Sequence, residues 1–195
     1  MRVIVSHHLW SRVGGGELVN AYVVKTFLRN GYKVAIASTF GFDKSEYDRW
    51  FGIKLEDVPT YYLFKKMFPA FGIYQRLGTY IPLSRAIRNL KPNLVWIDSE
   101  LYRPILKLKN ELEFKLIEYI HFPFDALRFE RREVPKELLD AFERYMSEAI
   151  EYMKKYKKGL WRFYFKFWLK LYEKVARKNP FESADIVLTL SLIHI

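Results

Sequence analysis

The sequence predicts an α/β fold in which a Rossmann-like parallel sheet is flanked by helices. Three observations carry this reading. Short apolar runs such as "RVIV" and "KVAIAS" are bounded by polar or turn residues, the pattern of strands buried on both faces. Longer segments with apolar residues at helical spacing lie between them. Strands and helices therefore alternate, which is the signature of crossover connections and a mainly parallel sheet.

In chain order, Arg2 to Val5 reads as the first strand. After Gly14, Gly15 and Gly16, the apolar positions Leu18, Ala21, Tyr22, Val24 and Leu28 share a helical face, which stops at Asn30 and Gly31. "KVAIAS" is the second strand, completing a βαβ unit whose two strands run parallel. "DKSEYDRWFGI" fits a short helix or an irregular insertion, and "PTYYLF" a third strand. A helix is expected from about Ile73 to Leu90, kinked or restarted at Pro82. "PNLVWIDSE" is a strand, Leu101 to Lys109 a short helix and "FKLIEYIHFP" a fifth strand. Residues 135–178 read as helical with one break near Gly159, and "ADIVLTLS" closes as a sixth strand.

Composition narrows the functional classes. A chain of 195 residues with half its residues hydrophobic suits one domain with a sizeable core. The net charge of +11 favours partners that carry phosphate or an anionic surface. Cysteine is absent, which excludes disulfides and thiolate metal sites. "MRVIVSHHLW" lacks a signal-peptide core, and no run is long and apolar enough to span a bilayer. Abundant Lys, Glu and Tyr beside a single Gln lean toward a heat-adapted source.

Ligands of open α/β sheets bind beyond the carboxyl ends of the strands. That edge comprises His7 to Gly16, Ser38 to Phe42, Asp98 to Tyr102 and His121 to Asp125. Glycine lets a backbone approach a ligand, and a helix N-terminus attracts anions. "VGGGEL" is thus either a phosphate site or a tight turn; three successive glycines at this edge favour phosphate. It is not a P-loop, because no Lys-Ser or Lys-Thr follows, and Val19 stands where the dinucleotide fingerprint needs its third glycine. The preceding loop carries His7, His8, Trp10 and Arg12, enough to contact something bulkier than a diphosphate. His121 ends an apolar strand just before Pro123. It either handles a substrate hydroxyl or proton, or holds the turn together. A metal centre would lack a third ligand beside these histidines, so none is expected.

A "GGGE" loop after the first strand, a strand ending "YIHFP" and the terminal "SADIVLTLS" together resemble retaining GT-B glycosyltransferases of the group 1, family 4 type. The likeness is closest to the mannosyltransferases that extend dolichol-linked oligosaccharides. It implies that residues 1–195 form a single acceptor-side N-terminal domain, one half of a GT-B architecture. The donor-binding C-terminal domain with its acidic pair would lie elsewhere, and this half alone would be inactive. Gly14, Gly15 and Gly16 would then approach a phosphate in the cleft, with Glu17 starting the helix. His121 matches the family's histidine near the reacting sugar. The substrates implied are a nucleotide-sugar, GDP- or UDP-hexose, and a lipid-linked saccharide acceptor, with no cofactor required. Leu190 departs from the family's Asn before the last serine.

Tyr152 to Lys178 holds ten Lys or Arg against one Glu. After Gly159 a narrow stripe of Arg162, Lys166 and Lys170 divides a wide apolar arc that includes Trp161, Phe165 and Trp168. An anionic membrane surface, another domain and single-stranded nucleic acid are the three possible partners. "YLFKKMFPAFGIYQRLGTY" repeats the theme and favours the membrane. The expectation is a cytoplasmic protein, peripheral on the cytoplasmic face of the membrane, with no nucleic-acid partner. The competing class is a non-catalytic basic α/β module that docks on a membrane surface or nucleic acid.

Overall fold

A computed structural model describes residues 1–68, 70–98, 101–121, 134–155, 159–176 and 179–189, the side chains of 149, 150 and 152–155 excepted. Six strands form one sheet: β1 (Arg2–Ser6), β2 (Lys33–Phe40), β3 (Thr60–Phe64), β4 (Leu94–Asp98), β5 (Lys115–Ile120) and β6 (Ile186–Thr189). Their spatial order is β3-β2-β1-β4-β5-β6 and every pairing is parallel. The protein is therefore α/β with a Rossmann-like sheet, as the alternation of elements predicts. Strand order reverses direction between β1 and β4, which opens a crevice at their carboxyl ends.

Side-chain alternation divides the core in two. Val3 and Val5 of β1 and Trp96 of β4 pack on one face, together with Ala21 and Val24 of helix α1 (Gly15–Arg29). Ile4, Val95 and Ile97 face the other way. There they meet Leu83, Ala86 and Ile87 of α4 (Tyr80–Leu90) and Ile105 and Leu108 of α5 (Arg103–Leu112). The ambiguous segment after β2 is helical, α2 (Ser45–Phe51), and its Tyr47 is fully buried.

The long helix expected around Pro82 is two helices. α3 (Gly72–Leu77) and α4 are separated at Gly78 and Thr79, four and three residues before the proline. At the break the Thr79 Oγ1 donates to the Arg76 carbonyl at 2.7 Å and pairs with the Thr39 hydroxyl at 2.7 Å. Pro82 sits in the first turn of α4, where its missing N–H costs nothing.

The basic segment forms α6 (Lys136–Lys155) and α7 (Leu160–Val175), divided at Gly159, whose φ of 65° favours glycine. A one-turn helix not expected from sequence, α8 (Pro180–Ser183), precedes β6; the Asn179 side chain accepts from the Phe181 N–H, and Pro180 opens the turn. Expectations for Pro123, Asp125 and Leu190 fall outside the described residues.

Candidate functional site

The crevice between β1 and β4 gathers residues from four elements. His7 follows β1 directly, Asp98 is the last residue of β4, and His121 follows β5. The first two turns of α1 supply Gly16, Glu17 and Asn20. Parallel pairing aligns the three strand ends, with Ser6 opposite Ile97 and Asp98 opposite Tyr119. Residues more than a hundred positions apart thus meet within one turn of helix.

Asp98 is the hub. His121 Nε2 lies 2.7 Å and His7 Nδ1 2.8 Å from its Oδ2. The Asn20 amide also donates to Oδ2, and to the Gly16 carbonyl at 2.8 Å. Trp96 Nε1 donates to Asn20 Oδ1 at 2.9 Å, which turns the amide nitrogen toward the carboxylate. Burial alone would raise the Asp98 carboxyl pKa. The His121 bond, the close His7 contact and the charges of both rings overcome burial and hold it well below the usual carboxylate range. With Asp98 ionised, His121 Nε2 carries the proton and donates it.

His7 is held differently. Its ring is buried, and neither nitrogen makes a linear hydrogen bond, although Nδ1 lies 2.8 Å from Asp98 and Nε2 3.5 Å from Glu17 Oε1. Both contacts are ion pairs off the line of the N–H. Burial pushes the His7 pKa down, but Asp98 and Glu17 outweigh it and carry the ring to about 9. His8, edge-on to His7 at 4.7 Å, moves the opposite way. Burial and the charges of His7 and Arg76 push it to about 3, so it is neutral at physiological pH.

The three glycines have separate reasons. A Cβ on Gly16 would lie 3.2 Å from His121 Nε2 and 3.4 Å from His7 Cε1, so the glycine lets both rings press on the helix. A Cβ on Gly14 would meet the Glu17 carboxylate, whereas Gly15 has open space around it and is exposed. The first intrahelical bond runs from the Leu18 N–H to the Gly14 carbonyl. The amides of Gly15, Gly16 and Glu17 therefore precede the helical ladder, at its positive end. Glu17 is buried in this first turn. Its own burial raises its pKa, but the His7 contact and a backbone N–H lower it further.

Arg12 is exposed on the loop, but Trp10 is fully buried, not set on the surface of the loop. Its indole stacks on Phe42 at 5.4 Å, and the Tyr47 hydroxyl donates to its carbonyl at 2.7 Å. The aromatic insertion between β2 and β3 captures it. On α7, Trp161, Arg162, Lys166 and Lys170 are exposed as expected, while Phe165 and Trp168 are half-buried. Trp168 turns inward because its indole N–H donates to the Ile73 carbonyl of α3 and its ring stacks on Tyr172. Phe163 and Phe167, exposed by 71% and 63%, stand outward instead.

Asn20 and Asp98 are the site residues that sequence reading did not single out. Glu17, Asn20, Ala21 and Val24 share one buried helical face, so two polar residues on that face were a legible signal. Asp98 lay on the predicted edge without a role.

Against known proteins, no family profile and no curated protein matches this sequence. Among solved structures, the chain is similar to a UDP-glucosyltransferase from Polygonum tinctorium capable of glucosylating indoxyl, in complex with 3,4-dichloroaniline. Identity is 12% and the TM-score 0.39, over 66% of this chain and 31% of that one. The chain thus spans about a third of that structure's length.

Proposed function

We propose that this chain is the acceptor-side half of a retaining GT-B glycosyltransferase, moving a hexose from a nucleotide-sugar to a saccharide acceptor. The observation that carries the reading is the contact between its two motifs. "GGGE" and "YIHFP" lie about a hundred residues apart in the chain, yet Gly16 packs directly on His121 and His7 at the switch point of the sheet. Two distant motifs that share one strand-end crevice fit one active site better than two structural turns.

The chemistry follows from the charges. Asp98 fixes the His121 ring through Nε2, which leaves Nδ1 as that ring's acceptor nitrogen for an acceptor hydroxyl or sugar oxygen. The exposed Gly15 amide and Arg12 sit beside the helix N-terminus, a suitable place for a phosphate oxygen. A cleft of about 530 Å³ lined by Ser11, Phe42, Thr60, Tyr62, Lys65 and Lys66 adjoins the loop and gives the acceptor room. The donor, a UDP- or GDP-hexose with mannose favoured by the motif likeness, is bound mainly by a second domain.

A lipid-linked acceptor and a peripheral location at the cytoplasmic membrane face are the finer part of the proposal. Their support is a surface formed by both basic-aromatic segments. Phe71 stacks on Tyr164, and Tyr74 stacks on Phe167 while donating its hydroxyl to the Tyr164 carbonyl. Among the described residues no helix is long and apolar enough to cross a membrane. Docking at the interface is the alternative that such a surface serves.

In the protein joined to its donor-side half, His121→Ala is expected to abolish hexose transfer while circular dichroism and melting stay near those of the parent. Unchanged turnover would remove His121 from the mechanism.

A further inference from the structure

The same crevice has the composition of a metal centre. His7, Asp98 and His121 each offer one ligand atom, and the three atoms lie within 4.8 Å of one another. Two imidazoles and a carboxylate suit a borderline divalent cation such as Zn²⁺, and three protein ligands leave room for an exchangeable fourth. We propose that His7 Nδ1, Asp98 Oδ2 and His121 Nε2 hold one divalent transition-metal cation, with a coordination position left for water or a substrate oxygen.

A hydrogen-bonded cluster without an ion accounts for His121, which donates along a good line to Asp98. It does not account for His7. That ring is 5% exposed, turned into the cluster, and makes no linear hydrogen bond through either nitrogen. A ring held at ion-pair distance, with neither nitrogen spent on a hydrogen bond, is what a cation would complete once the ring gives up its proton. Each ligand nitrogen would release its proton to water as the ion enters.

The surroundings have the form of a supporting shell. The Glu17 carboxylate faces the far nitrogen of His7 at 3.5 Å, the carboxylate–histidine–metal arrangement that fixes a ligating ring. Asn20 bonds the ligating carboxylate and is itself aligned by Trp96. Gly16 leaves the space beside both rings free of a Cβ. The two N···O separations of 2.7 and 2.8 Å must widen to about 3.4 Å, the spacing of tetrahedral ligands at Zn–N and Zn–O lengths of about 2.1 Å. His121 can yield, because it lies just past its strand and its side chain is partly exposed. That exposure also gives the ion an entry path.

The inference shares its site with the proposed transferase, but its test does not read turnover. The chain, prepared without a polyhistidine tag and stripped with chelator, is titrated with Zn²⁺ by calorimetry and with Co²⁺ by visible absorption. One ion per chain is expected, with Co²⁺ bands of a four- or five-coordinate centre. His121→Gln, at the rim and tolerant of folding, is expected to weaken binding by about 100-fold or more. Glu17→Gln, which touches no ion, should weaken it by about 10–100-fold and leave the Co²⁺ bands in place. No stoichiometric binding by the folded chain, or equal affinity in the parent and His121→Gln, overturns the metal centre. Either result would leave the transferase standing if hexose transfer persists. Stoichiometric binding without transfer would instead support the centre and count against the transferase.

Discussion

At the scale of single residues, the three glycines separate into different roles and make a sharp comparison. Gly15 has no neighbour within reach of a Cβ and no positive φ, so Gly15→Ala gains helix propensity alone. It should raise stability by about 0.5–1 kcal/mol in urea denaturation. Gly16→Ala has the same propensity gain but displaces His121 and His7 by a few tenths of an ångström. It should fall below Gly15→Ala by about 1–3 kcal/mol. Equal stability of the two variants would mean that the rings do not pack on the helix. Sequence alone made "GGG" legible as a special turn at the right edge, because glycine content and strand-end position are local. Which glycine serves which purpose was not legible, since His121 arrives from more than a hundred residues away. Trp10 fails for the same reason: its polar loop reads as surface, and only Phe42 and Tyr47 make it core.

At the scale of elements, the edge strand β6 is pinned by one side chain. The Asp185 carboxylate accepts the Leu116 N–H at 2.8 Å and pairs with Lys109 at 3.1 Å and Lys115 at 3.2 Å. Burial pushes the Asp185 carboxyl up, but the Leu116 bond and the two lysines together draw it below its ordinary value. A carboxyl with a depressed folded pKa binds protons more readily in the unfolded chain. Its contribution is therefore present above the ordinary Asp range and lost as pH falls through the folded value. Asp185→Asn should lower stability at neutral pH, and the deficit should shrink as pH drops below about 4; a deficit constant with pH would contradict this pairing. The aromatic face of α7 makes the second element-scale prediction. Replacing Phe163 and Phe167 together by Ser should markedly reduce flotation with anionic vesicles and spare folding, because no buried residue lies on that helix. Flotation unchanged by the pair, or absent from the parent, would remove the membrane from the account. The basic-aromatic rhythm of this helix was plain in the sequence. Its inward side was not, because Trp168 turns in only to reach a carbonyl on α3.

At the scale of the molecule, alternating apolar runs and helical spacings were enough for the sheet and its parallel strands. The strand order that places β1 beside β4 was not readable from spacing, and that adjacency is what brings Asp98 to His7. The chain is thereby built as a sheet with one chemically loaded edge. The proposed function has this edge receive a saccharide acceptor for hexose transfer. The direct measurement is transfer of labelled hexose from UDP- and GDP-sugars to a lipid-linked saccharide in anionic vesicles, using the protein together with the proposed donor-side half. Label is expected in the lipid fraction, with the anomeric configuration of the donor kept. Label that stays in the nucleotide-sugar for every donor, with the protein folded and bound to vesicles, would contradict it.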